Sequence, residues 1–183
     1  MYVRIAASGT EPAKIKFLYN RDVLFNEVSL MSNYMSKNLS TKDGNALTDD
    51  FAISDDEKDL VTVCVRATLP DIYESMIKIT NAISSAFDDE VTEAADATHG
   101  ITAGSYVEFV LQDNGAYNDN VLNMVDASLY NCIKHGTLKE VYSTIVNPDF
   151  FKISAERFVA ELFKLKQRLF QLKKKSVVSN LSS

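Results

Sequence analysis

The side chains of this chain that could do chemistry are few and scattered. Its two histidines are His99 and His135, and its two cysteines are Cys64 and Cys132. His99 precedes a glycine in a polar stretch, and His135 stands at the predicted end of a helix, where the negative end of the dipole favours an imidazolium. Neither has ligands at the spacing of a zinc site. Cys64 lies beside Leu60 and Val65, and Cys132 beside Leu129 and Ile133, so both read as small buried hydrophobes rather than as ligands or a disulfide pair. Acids cluster at Asp55-Asp56-Glu57-Asp59 and at Asp88-Asp89-Glu90. The first group lacks the alternating ligands and central glycine of a calcium loop and reads as a helix start. The second reads as an acidic loop that could meet a basic surface. No serine nucleophile elbow and no phosphate-cradling glycine loop is present. The reading is a non-catalytic protein with no cofactor and no metal. An enzyme with a diffuse site drawing on Asp55, Asp59 and His135 is the alternative, with no motif behind it.

The more informative pattern is in the last predicted helix. From Ala155 the apolar residues Phe158, Leu162, Leu165, Leu169 and Leu172 recur at steps of four, three, four and three, which holds them on one side of a helix. Val159, Phe163 and Phe170 widen that seam, so the helix is expected to have neighbours on two sides. Residues 152–183 carry eight basic side chains against Glu156 and Glu161, a balance of +6, while residues 1–151 carry −12, together the chain's net −6. Opposite signs on two parts of one chain can draw copies together head to side. Arg157, Phe163, Lys164, Lys166, Arg168 and Phe170 are the candidate interface residues on the helix, and Asp88, Asp89 and Glu90 their candidate acidic partners. Lys173-Lys174-Lys175 could touch a phosphate backbone without reading sequence; its simpler role is to complement the helix dipole.

The elements that must carry these residues follow from period and punctuation. The 183 residues, 46% apolar and 24% charged, suit one domain with a hydrophobic core. No stretch is apolar enough to span a bilayer and the N-terminus does not read as a signal peptide, so a soluble protein made or assembled in a cytoplasm is expected. Tyr2–Ile5 and Lys14–Tyr19 alternate like strands around a turn at Ser8–Pro12, and Tyr106–Leu111 supplies a third strand. Helices are predicted over Asp22–Leu39, from Ser54 to about Phe87 with a kink or break at Pro70, over Asn118–His135 ended by Gly136, over Leu138–Val146, and from a Ser154 cap onward. The fold class is mainly α: a helical bundle with a small antiparallel β element, the N-terminal hairpin plus one central strand. Its expected parts are a hairpin arm at 1–21, a helical domain at 22–175 with strand 106–111 within it, and a flexible tail at 176–183.

The order of segments resembles that of neck proteins of tailed bacteriophages of gut Bacteroidales, the crAss-like phages. The stretch carrying the resemblance opens at Ile53-Ser-Asp-Asp-Glu-Lys-Asp-Leu60 and continues into Leu69-Pro-Asp-Ile-Tyr-Glu74. Tyr106-Val-Glu-Phe-Val-Leu111 looks like the single strand such proteins place before a helix, which Asn118-Asp-Asn-Val-Leu122 then opens, and a long final helix ends in lysines. The Gly136 and Pro148 interruptions and the N-terminal hairpin depart from the simplest form of the pattern. The resemblance implies a mostly helical, non-enzymatic virion protein that forms a ring beneath the portal and continues the DNA channel between head and tail. It implies a homo-oligomer matching the portal's twelvefold symmetry, partnered by the portal and other neck or tail proteins, with non-specific contact to packaged DNA and none to a membrane. The other reading of the same stripe is a cytoplasmic helical adaptor or regulator that binds a protein partner through its C-terminal helix.

Overall fold

The alternating N-terminal segments form a hairpin in the computed structural model, which describes residues 1–37, 53–88, 101, 104–115, 117–145 and 147–180. Strand β1 (Tyr2–Ile5) pairs antiparallel with β2 (Lys14–Asn20), Tyr2 opposite Phe17 and Ile5 opposite Lys14. Ser8 and Glu11 exchange backbone hydrogen bonds of 3.1 and 3.0 Å across the predicted turn, where Gly9 adopts a φ of 57°. β2 passes directly into helix α1 (Arg21–Lys37), because the Asn20 side chain accepts from the Asp22 and Val23 amides at 3.0 and 3.1 Å.

A single 3-10 turn (Asp55–Glu57) then leads into α2 (Lys58–Ile77). The predicted capping residues act there: the Glu57 carboxylate accepts from the Ser54 amide at 2.7 Å and from the Ser54 hydroxyl, which holds it below its usual titration range. β3 (Ala82–Asp88), β4 (Tyr106–Gln112), α3 (Asp119–Thr144) and α4 (Pro148–Asn180) complete the chain.

The sheet has the order β1-β2-β4-β3 with every neighbouring pair antiparallel. Strand alternation sends Ile15, Phe17 and Tyr19 of β2 and Val107, Phe109 and Leu111 of β4 into the main core with the helices. The opposite face is not bare, since Val3, Leu18 and Tyr106 form a second small cluster and Lys16 pairs with Glu108 at 2.9 Å. α3 is the central helix, packed against α4, α2 and α1. Leu122, Val125, Leu129, Cys132, Ile133 and Leu138 on it are fully buried. The fold is therefore mainly helical with a small antiparallel sheet, the class the periodicities imply.

Four local expectations are corrected. The helix beginning near Ser54 ends at Ile77, and residues 82–88 form a fourth strand on the open edge of β4. Pro70 lies inside one continuous α2, so of the kink or break expected there the break does not occur. Gly136 does not end a helix: α3 runs through it to Thr144, joining the two predicted pieces. A Cβ at Gly136 would stand 2.2 Å from Thr68 Cγ2 and 3.0 Å from the Phe158 ring, so the missing side chain makes room on α3 for Thr68 of α2 and Phe158 of α4. Finally α4 begins at Pro148, capped by Asn147 rather than Ser154, and it remains helical through Asn180 where a tail was expected. The polar stretch Ser40–Asp50, which reads as a loop around Gly44, lies wholly outside the described residues, as do 89–100, 102 and 103 of the connection expected from Asp88 to Gly104.

Candidate functional site

α4 positions the candidate interface residues. Asn147 accepts from the Phe150 amide at 3.1 Å, and Pro148 occupies the first helical position, where a missing N–H costs nothing. From there the stripe behaves as its period demands. Phe158, Leu165, Leu169 and Leu172 are buried, and Leu162 is half-buried against the same core. The residues expected to widen the seam do otherwise: Val159, Phe163 and Phe170 are 64%, 61% and 59% exposed. Steps of four and seven place these three in one row on the outer side of α4.

The basic side chains divide by where their charge goes. Lys164 reaches back along the helix to Glu161 at 2.7 Å. Arg168 turns inward, donating to the Met124 carbonyl at 2.6 Å and to the Ser128 hydroxyl, which ties α4 to α3. Arg157 is exposed and close enough to His135 to oppose its protonation. Lys166 follows the row in sequence between Phe163 and Phe170, is half-buried, and lies close enough to Glu74 of α2 to help Lys78 lower that carboxyl's titration range. Of the acidic partners, Asp88 ends β3, its side chain lying outside the described part, and Asp89 and Glu90 lie outside the described residues altogether.

A second surface went unnoticed in the sequence. The α1 stripe Leu24, Val28, Met31 and Met35 faces inward as predicted, but Val23, Leu30 and Tyr34 form a second row about 100° around the helix, 52%, 68% and 71% exposed. The spacing was visible, masked by the stronger inward stripe one residue on. Beside it runs a groove of about 500 Å³ lined by Leu18, Tyr19, Val23, Glu27, Tyr106 and Tyr130. Tyr19 stacks on Tyr130 with centroids 5.4 Å apart, and its hydroxyl donates to Asp126 at 2.9 Å. Burial first, and then Asp126, push that phenol well above its usual titration range. Glu27 holds Lys134 at 2.9 Å, and the same ammonium lies 4.7 Å from the centre of the Tyr130 ring. These phenols stay protonated at neutral pH, so the groove is an aromatic surface with carboxylates at its rim rather than an acid–base site.

The residues of the enzymatic alternative are carried by different elements, Asp55 and Asp59 at the start of α2 and His135 within α3. Among the described residues no group of three or more histidines, cysteines or carboxylates is placed to hold a metal ion. Cys64 and Cys132 are free and buried, and burial pushes the Cys132 thiol up to about 12. Among the described residues no helix is long and apolar enough to cross a membrane. No protein-family model, curated protein or solved structure matches this chain.

Proposed function

We propose that this chain is a non-catalytic structural subunit of a tailed-bacteriophage virion, one copy in a ring of the neck that lies beneath the portal and continues the DNA channel from head to tail. The segment order described above supports the family. One observation supports self-assembly: the row Val159, Phe163 and Phe170 stands in water on a helix whose other side is fully committed to the core. A surface of this kind repeated on every copy, meeting a different surface on the next, generates a ring if the rotation closes. The acidic balance of residues 1–151 against the basic 152–183 favours that head-to-side encounter, since charge steers and orients association while apolar burial stabilises it.

The test is the protein content of purified particles from the phage whose genome carries this gene. Expected is a stoichiometric virion component, located between portal and tail by electron microscopy. Its absence from intact particles overturns the proposal, and recovery with one cytoplasmic protein instead favours the adaptor reading. A chain with Lys152→Glu and Lys166→Glu should remain folded and enter particles poorly. Arg168 is unsuited to that test, because its guanidinium holds α4 to α3.

A further inference from the structure

We propose that α4 of one copy docks antiparallel across α1 of a second copy, laying Val159, Phe163 and Phe170 onto Tyr34, Leu30 and Val23. The inference rests on the ring-subunit reading and names the two surfaces that would meet. All six side chains are between 52% and 71% exposed. On α4 the row advances by four residues and then seven; on α1, followed backwards from Tyr34, it also advances by four and then seven. Both steps return to the same helix face. Each row covers eleven steps, about 16 Å at about 1.5 Å per residue. Rows with reversed spacing come into full register only when the helices run in opposite directions. A parallel arrangement aligns two of the three groups at most.

Charge provides an independent check, because the register above is set by the apolar groups alone. In the antiparallel register Lys166, between Phe163 and Phe170, falls opposite Glu27, between Val23 and Leu30. Three parallel registers each align two of the three groups, and they would place Lys166 opposite Leu30, Asn26 or Lys37. Glu27 keeps 42% of its side chain exposed while holding Lys134 of its own chain, and a carboxylate can accept from more than one cation. The alternative of two α4 rows docking on each other fails on charge. Antiparallel, the spacing reversed is seven and then four, which leaves one group out of register; parallel, the rows align but set Lys166 against Lys166, and either way two basic helices are brought together. Because one helix face meets a different one, the junction can propagate from copy to copy.

The experiment is directed disulfide trapping in the full chain. A Phe163→Cys chain mixed with a Leu30→Cys chain under mild oxidation should yield a cross-linked pair. Phe163→Cys mixed with Val63→Cys, an exposed apolar position on α2, should not. Cys64 and Cys132 are buried and do not compete. Phe163→Asp and Leu30→Asp, each checked for folding by circular dichroism, should each weaken self-association by about tenfold or more. Equal trapping at Val63, or association indifferent to Leu30→Asp, overturns the inference. Placing both cysteines in one chain separates it from the reading beneath it. Trapped rings uphold both, and reciprocal two-copy pairs uphold the docking while sinking the ring. Rings that form without trapping sink the docking and leave the ring.

Discussion

Single residues in this chain are governed by how closely three helices meet. Gly136 shows the competition. Alanine would gain about 1 kcal/mol of helix propensity over glycine in a helix interior. Its methyl, however, would sit 2.2 Å from Thr68 Cγ2, and Thr68 cannot easily turn away, since its hydroxyl donates to the Cys64 carbonyl at 3.0 Å. The overlap should win, so Gly136→Ala should destabilise by about 1–3 kcal/mol in urea unfolding. Adding Thr68→Ser, which removes only the clashing methyl, should recover part of that loss; no recovery would place the strain on the Phe158 ring instead. Next to it in the chain, His135 is held below its ordinary titration range by burial first and then by Arg157, with Lys134 and Lys164 adding to this and Glu161 opposing it. The unfolded chain then binds the proton more readily than the folded one. Stability contributed by neutral His135 is present above about pH 6.5 and is lost as the pH falls through that value toward the lower folded pKa. Replacing His135 with Gln should flatten the slope of stability against pH between about 7 and 5, before the carboxylates titrate. An unchanged slope would show that the imidazole is not desolvated.

At the scale of elements, what could be read in advance was whatever had a single period and a local cap. The stripe of α4 placed Phe158, Leu162, Leu165, Leu169 and Leu172 on the inward side; Leu162 is half-buried and the other four are buried. The Ile15, Phe17 and Tyr19 alternation identified the inward face of β2. Strand β3 was illegible because Ile72, Met76, Ile79, Ile83 and Phe87 continue a helical spacing without a break. What decides against helix there is remote. β4 pairs with β2 on one side, and its other edge would otherwise expose backbone groups that Ala82–Asp88 satisfies. The turn that redirects the chain is local but weakly marked, with the Ile79 and Thr80 amides both donating to the Met76 carbonyl at 3.1 and 2.9 Å. Gly136 misled for a similar reason, since its role depends on Thr68 and Phe158, far away in sequence. The outward rows on α1 and α4 were legible as spacing but not as exposure, which only the packing of the inward faces reveals. An element-level test follows from the Asn147 cap: Asn147→Ala removes the acceptor for the Phe150 amide and should cost about 0.5–2 kcal/mol. It should act through the first turn of α4, so amide exchange ought to rise around Phe150 and stay slow at Leu169.

For the whole molecule the question is which force would hold one copy to the next, and magnitudes answer it. The charge separation is large, and the ion pairs within each part leave its net balance unchanged. Lys164 pairs with Glu161, Lys16 with Glu108, Lys58 with Asp22 and Arg4 with Asp113. In the proposed junction the direct opposite pair is Lys166 with Glu27, and an ion pair at a partly solvated site contributes about 0–1 kcal/mol, at most about fivefold in affinity. Covering one Phe side chain contributes about 1.5–3 kcal/mol, roughly 10- to 100-fold. Two exposed phenylalanines therefore outweigh the pair. Raising salt from about 0.1 to 0.5 M shortens the Debye length from about 10 Å to near 4 Å and should slow association more than it loosens the assembled state. Phe163→Ala should do the reverse, leaving the association rate nearly unchanged and speeding dissociation by about tenfold or more. Sedimentation velocity for affinity and stopped-flow light scattering for the rates would separate the two. If salt alone dissolves the assembly while Phe163→Ala leaves it intact, charge rather than apolar burial carries the junction, and the contact between copies must then be sought among the acidic loops instead of on α1.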